Sequence, residues 1–96
     1  MLIRWTEKAQ AELQAAHEYV AEDNTIAAEQ QSATVLRAIE QLTHFPEMGR
    51  LGRVAGTREL VIQGTPLLVA YSLQRDIVYI LAVLHGARRW PLRFKS

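Results

Sequence analysis

The sequence predicts an α+β domain in which a helical hairpin packs on one face of a small antiparallel sheet. Three observations predict this class. Apolar residues recur at helical spacing over most of residues 7–43, three short apolar or β-branched runs follow after residue 57, and one such run precedes the helices. The expected element order is β-α-α-β-β-β, and residues 1–96 should form one domain with a single core.

The chain should begin with a strand that leads directly into a helix. Residues 2–5 read Leu-Ile-Arg-Trp, which is short and partly β-branched. Thr6 is a suitable N-cap for a helix over about residues 7–22. The apolar positions of this helix recur at three- to four-residue spacing, so one of its faces should pack against the sheet.

A second helix should follow after a short connection. Asn24 or Thr25 can cap it, and its pattern runs to about Thr43. Leu36 belongs to its predicted apolar stripe. Because the connection is so short, the two helices should form an antiparallel hairpin that serves as scaffold.

The second half should contain a loop and then a three-stranded antiparallel meander. Proline at position 46 ends the helical part, and residues 47–56 contain three glycines and little periodicity. The connections that follow are short, which favours hairpins. With the first strand, the meander should make a four-stranded antiparallel sheet whose last two strands are central. The three strands are expected at residues 58–63, 67–73 and 77–84.

Charge is divided unequally between the two halves of the chain. Residues 1–49 carry a net charge of −5 and residues 50–96 a net charge of +6, although the whole chain has only +1. The basic half can therefore meet a polyanion or an acidic partner. A solvated surface that merely keeps the protein soluble is the alternative. The basic residues concerned are Arg50, Arg53, Arg58, Arg88, Arg89, Arg93 and Lys95.

Several kinds of site and location are excluded or disfavoured. The chain has no cysteine, and His17 and His44 have no partners at metal-ligand spacing, so we expect neither a metal nor another cofactor. The charged N-terminus is unlike a signal peptide, and the longest apolar run has eight residues where a membrane helix needs about 20. We therefore expect a cytoplasmic protein with no membrane partner.

Three residues beside the arginines could carry chemistry. His85 ends the last strand and could accept a proton, although a structural or merely exposed histidine is the alternative. Glu59 should point away from Leu60 toward the open face, as a general base or in an ion pair with Arg58 or Arg89. Trp90 could stack on bases, but such residues more often pin a terminal segment onto the core.

Three segments of the second half resemble the RelE/ParE superfamily of toxins from bacterial type II toxin–antitoxin systems. The ParE-like branch is the most similar, and the resemblance covers nearly the whole chain. The last of the three segments is the most specific. The segments are Arg58-Glu59-Leu60-Val61, Leu67-Leu68-Val69-Ala70-Tyr71 and Ile80 to Pro91, which ends in His85-Gly86-Ala87-Arg88-Arg89-Trp90-Pro91.

The resemblance implies one of two activities. ParE-like toxins bind DNA gyrase and trap its cleaved-DNA state, without being enzymes. RelE-like toxins are metal-independent endoribonucleases that cut messenger RNA on the ribosome, where basic side chains stabilise the developing charge. If the protein is a nuclease, Arg58, Arg88 and Arg89 would bind the phosphate and His85 or Glu59 would transfer protons.

The sequence departs from the RelE pattern at three places. The lysine-rich second strand of RelE is represented only by Arg58. RelE-type nucleases tend to carry an arginine three residues before the tyrosine of the middle strand, and Leu68 stands there. They also often have a tyrosine in the C-terminal segment, whereas this chain has none after Tyr79. We therefore favour gyrase inhibition over RNA cleavage.

The resemblance also implies a cognate antitoxin with an acidic, partly disordered segment that wraps the toxin. Operator DNA would be contacted only through the antitoxin. Whether Arg58 or Glu59 faces the open surface depends on a strand register that the sequence leaves open. The expected contacts with target or antitoxin are Arg50, Arg53, Arg58, Arg88, Arg89, Trp90 and Arg93.

Overall fold

A computed structural model of the protein describes residues 1–86 and confirms the α+β class. The predicted helices and strands are all present, with bounds that agree to within two residues. One further strand, β2, lies inside the segment that was expected to be a loop. The elements are β1 Leu2–Trp5, α1 Glu7–Ala21, α2 Thr25–Gln41, β2 Arg50–Leu51, β3 Arg58–Val61, β4 Leu67–Gln74 and β5 Ile77–His85.

Both helices begin at the side-chain caps that local sequence favours. Thr6 caps α1 by accepting the Ala9 N–H at 3.1 Å, and its hydroxyl also lies 3.0 Å from the Ile80 carbonyl. Asn24, rather than Thr25, caps α2 by accepting the Ala27 N–H at 3.0 Å. The contact with Ile80 ties the start of α1 to the sheet.

The sheet has five strands and mixed direction, so the expected four-stranded antiparallel sheet was wrong on both counts. Its strand order is β1-β5-β4-β3-β2, and β1 runs parallel to β5. β1 lies at one edge of the sheet and the helices carry the chain to β2 at the opposite edge. Three antiparallel pairings then lead back across the sheet to β5, which runs parallel to β1. The prediction that β4 and β5 are central is confirmed.

The main core lies between the helical hairpin and one face of the sheet. Tyr71 on β4 is one of the largest fully buried side chains in it. Val35 and Ile39 supply the inward face of α2, whereas Leu36 is 49% exposed, which corrects its predicted place in the buried stripe. One residue after Val35 is a turn of about 100° around the helix, which carries Leu36 away from the sheet.

A second, smaller apolar cluster lies on the other face of the sheet. It contains Leu68 and Ala70 from β4 and Ala82 and Leu84 from β5, all of them buried. The central strands are therefore apolar on both faces, as their nearly continuous apolar sequences predict. Within the described residues, no helix is long and apolar enough to span a membrane.

Candidate functional site

The irregular segment between α2 and β3 is held by three side chains of the sheet. We call residues 46–53 the connector; it begins at Pro46 and includes β2. Backbone groups in such a segment lack the regular partners of a helix, so those that are buried need other hydrogen bonds. Tyr71, Arg58 and Glu59 supply these bonds.

Tyr71 binds the first half of the connector from inside the core. Its hydroxyl donates to the Pro46 carbonyl at 2.8 Å and accepts the Gly49 N–H at 2.9 Å. Burial raises the pKa of the phenol above its ordinary value near 10, against the smaller lowering effects of the Gly49 N–H and the Arg58 guanidinium. The Tyr71 hydroxyl is therefore neutral and makes two hydrogen bonds that join β4 to the connector.

Alkaline pH should destabilise the fold through Tyr71. The phenol of the unfolded chain ionises near pH 10 while the folded one keeps its proton, so the free energy of unfolding falls as pH rises above about 10. We expect Tyr71→Phe to weaken this fall and to cost about 1–3 kcal/mol near neutral pH, because two backbone groups lose their partner. Urea denaturation at neutral and alkaline pH measures both effects.

Tyr19→Phe is the matched control for that experiment. Tyr19 is 77% exposed on α1, so the loss of its hydroxyl should leave the free energy of unfolding unchanged in the same urea experiment. An alkaline profile of Tyr71→Phe that matched the wild-type profile would contradict the role assigned to the buried phenol.

Arg58 binds the connector on the same side of the sheet as Tyr71. The two residues lie opposite each other on β3 and β4. The Nη1 of Arg58 donates to the carbonyls of Gly49 at 2.8 Å and Glu47 at 3.2 Å, and Nη2 lies 3.8 Å from a Glu47 carboxylate oxygen. Its guanidinium is thus largely committed to the protein's own backbone.

Glu59 binds the second half of the connector from the opposite side of the sheet. It lies opposite Ala70 and is only 2% exposed. One carboxylate oxygen accepts Arg50 Nε at 3.2 Å and Nη2 at 3.0 Å, and the other accepts the Arg53 N–H at 2.9 Å. The direction of Glu59 is the expected one, but the carboxylate is buried and its cation is Arg50, not Arg58.

Arg58 therefore lies on the face of the main core and Glu59 on the face away from it, which answers the question of register that the sequence left open. His85 is distant from both. It lies opposite Leu67, whereas Arg58 lies opposite Tyr71, so four residues of β4, roughly 13 Å, separate the two positions along the strand. Arg58, Glu59 and His85 are not brought together.

His85 instead borders a groove between the helical hairpin and the end of the sheet. The groove has a volume of about 520 Å³ and is lined by residues of α1, α2, β4 and β5, including Tyr19 and Val83. One wall is fixed by Glu12, whose carboxylate accepts the Val83 N–H at 3.0 Å. Most of the lining is apolar.

The remaining predicted site residues lie outside the described part of the chain. These are Arg88, Arg89, Trp90 and Arg93, and Lys95 of the basic set lies there too. Half of the basic residues of the second half are therefore among residues 87–96. Among residues 1–86, no group of three or more His, Cys, Asp or Glu side chains could hold a metal ion.

Sequence reasoning missed the part of Tyr71 and Gly49 in holding the connector. Gly49 and Tyr71 are 22 positions apart in the sequence, and no local pattern predicts a hydrogen bond over that separation. A weak signal was available at Glu59, because it is a lone carboxylate in an apolar strand and requires a partner when buried.

Comparison with known proteins agrees with this fold. The family model described as "ParE toxin of type II toxin-antitoxin system, parDE" matches residues 3–90. The chain is also similar to a solved structure titled "Chromosomal ParDE TA system from P. aeruginosa", with a TM-score of 0.77 and 24% identity over 86% of this chain and 92% of the other. At that identity the likeness shows the fold alone.

Two similar proteins carry toxin names. One, named "Putative toxin Y4kP", from Sinorhizobium fredii, is 38% identical over 93% of this chain and 92% of its own length. The other, named "Toxin RelE2", from Caulobacter vibrioides, is 33% identical over 88% of this chain and 93% of its own length. With the family model matching most of the sequence, the chain belongs to the ParE family of toxins from type II toxin–antitoxin systems.

Proposed function

We propose that this toxin inhibits DNA gyrase by binding it and trapping its cleaved-DNA state, and that a cognate antitoxin neutralises it. The observation that supports gyrase inhibition over RNA cleavage is that Arg58 and Glu59, which a nuclease would use, are already bonded within the protein. Arg58 is bonded to backbone carbonyls of the connector, and the Glu59 carboxylate is buried against Arg50 and the Arg53 N–H. Neither is available to a phosphate without giving up these bonds.

The buried apolar side chains near Glu59 also argue against RNA cleavage. Leu68 stands where the RelE pattern has an arginine, and it is buried with Ala70, Ala82 and Leu84. Buried apolar side chains give the phosphate at the cleavage site no compensating charge, and cleavage at phosphorus depends on such charge. His85 and Arg58 lie opposite two positions of β4 that are four residues apart, so one phosphate could not contact both.

The family membership supports an antitoxin partner, and the charge distribution supports its acidic character. An acidic segment that folds on binding would be attracted to the basic second half of the chain. Arg88, Arg89, Trp90 and Arg93 belong to this proposed contact set together with Arg50 and Arg53. Arg58 would contribute its charge while it keeps its bonds to the connector. Operator DNA would be reached only through the antitoxin.

RNA cleavage on the ribosome is the second candidate, because one relative at 33% identity is named a RelE toxin. In that case Arg58, Arg88 and Arg89 would bind phosphate, with Glu59 or His85 transferring protons. The bonds of Arg58 and Glu59 to the connector would then have to break when RNA binds. The proposal of gyrase inhibition requires no such rearrangement.

Two assays with purified toxin separate the candidates. We expect wild-type protein to inhibit gyrase supercoiling, to leave a labelled message intact during cell-free translation, and to be silenced by its antitoxin. Replacing Arg88 and Arg89 together by alanine should reduce the inhibition at least about tenfold if these arginines contact the target. Message that is cut only when ribosomes are present, with supercoiling unaffected, would overturn the proposal.

A further inference from the structure

Three buried or half-buried polar side chains of the sheet converge on one irregular segment. Tyr71, Glu59 and the half-buried Arg58 come from two neighbouring strands, and all three hydrogen-bond residues 46–53. Gly49 also lies so close to Tyr71 and to the Glu59 carbonyl that a side chain would not fit. A loop held from both faces of a sheet keeps one shape before any partner arrives.

The turn that follows the connector is bonded as well. The Gly52 N–H donates to the Thr57 carbonyl at 2.8 Å, and the Thr57 hydroxyl donates to the Val54 carbonyl at 2.6 Å. Thr57 itself is buried. The path from β2 to β3 is therefore fixed by hydrogen bonds within the loop, in addition to those that Glu59 supplies.

The connector and the residue before it present large apolar side chains to solvent. Phe45 is 61% exposed, Met48 is 43% exposed and Leu51 is 78% exposed, and all three lie within seven consecutive residues. Exposed apolar residues are common singly, but a group on a rigid segment is typical of an interaction surface. Arg50 and Arg53 are also exposed. Arg50 lies on the opposite face of β2 from Leu51, where its guanidinium binds Glu59 and its side chain stays 58% exposed.

We propose that Phe45, Met48, Leu51, Arg50 and Arg53 form a docking surface along the edge of β2 for an extended segment of the toxin's protein target. Alternate side chains of that segment would be apolar, toward Leu51 on one face, and carboxylates, toward Arg50 on the other. This proposal rests on the proposed function and extends it, because it identifies the toxin residues that contact the target and the chemistry of the target segment. Rigid presentation lowers the entropy lost on binding, and apolar contacts with flanking charge pairs supply affinity and orientation.

Charge and strand order both determine what fits this surface. Arg50 and Arg53 are basic, whereas Glu47 near the other end is 76% exposed, so the partner's carboxylates should lie toward Arg53. In the described part of the sheet, β2 is the outermost strand and pairs only with β3. Its other edge can accept the backbone of an extended peptide, which a helical or nucleic-acid partner would not use.

A pair of double variants tests the surface. Phe45→Gln with Leu51→Gln removes apolar contact at the surface, and Ile26→Gln with Leu36→Gln removes two exposed apolar residues of α2 as the matched control. We expect the first pair to weaken binding to immobilised gyrase at least about tenfold and the control to leave it within about twofold. Thermal unfolding should be nearly the same for all three proteins. If the first pair binds gyrase as tightly as the wild-type protein does, the proposed docking surface is wrong. The proposal that the toxin inhibits gyrase would still stand.

A peptide titration decides the matter even if the wild-type protein binds no gyrase. The probe is a synthetic peptide of alternating Glu and Leu, followed through the backbone amide signals of residues 48–53. We expect shifts confined to these amides, weaker at high ionic strength and lost in the Phe45→Gln/Leu51→Gln variant. Shifts elsewhere, no shifts, or stronger shifts of these amides with an RNA oligonucleotide of equal charge would overturn the assignment.

Discussion

Gly49→Ala is expected to lower the free energy of unfolding by about 3 kcal/mol, which is roughly 15 °C in melting temperature for a domain of this size. A Cβ at this position would lie 2.6 Å from the Tyr71 hydroxyl oxygen, 2.7 Å from Tyr71 Cε1 and 2.9 Å from the Glu59 carbonyl. Tyr71 is fully buried and the Glu59 carbonyl is part of β3, so neither can move aside cheaply.

Gly86→Ala is the matched control for that substitution. The atom nearest to a Cβ at Gly86 is the Pro66 carbonyl oxygen at 3.5 Å, an ordinary contact. We expect its melting temperature to stay within a few degrees of the wild-type value. Equal melting temperatures for Gly49→Ala and Gly86→Ala would show that the connector does not need the close approach at Gly49.

Arg50→Met should destabilise the protein by about 2–3 kcal/mol. The Glu59 carboxylate is 2% exposed, and without Arg50 it keeps only the Arg53 N–H among the bonds described above. Removing one partner of a buried ion pair usually costs more, about 3–5 kcal/mol, but the Arg50 side chain is 58% exposed and water already screens the pair. Urea denaturation near neutral pH measures the loss.

A second substitution should rescue much of this loss. Adding Glu59→Met to Arg50→Met removes the unpaired buried charge and places an apolar side chain beside Ala70, so we expect at least half of the lost stability to return. Arg4→Met on the exposed part of β1 controls for the loss of one positive charge and should change stability by less than about 0.5 kcal/mol. A double variant less stable than Arg50→Met would contradict the charge argument.

Most of the secondary structure could be predicted because its signals are local. Thr6 and Asn24 cap the helices through bonds to residues three positions away, which a sequence pattern contains directly. β2 could not be predicted in this way. It has two residues, lies in a glycine-rich stretch, and exists because Arg50 and Leu51 pair with β3 in the folded sheet.

The candidate site could be predicted only in part. Lone charged residues such as Arg50 and Glu59 were visible in the sequence, and so was the motif that carries the family resemblance. Their partners were not visible, since Glu59 could have paired with any nearby arginine. The choice of Arg50 follows from the β2–β3 register, which places the two residues opposite each other.

The sequence by itself determined the class of the fold, the two helices with their caps, the central position of β4 and β5, and the membership in a toxin superfamily. These depend on periodicity, capping residues and motif spacing, all of which act over short distances along the chain. Only the tertiary structure decided that β1 pairs parallel with β5 and that Glu59, not Arg58, lies on the face of the sheet away from the main core. It also decided that Tyr71, Arg58 and Glu59 together hold the connector, because contacts between distant residues depend on how the strands align, and alignment is a property of the whole fold.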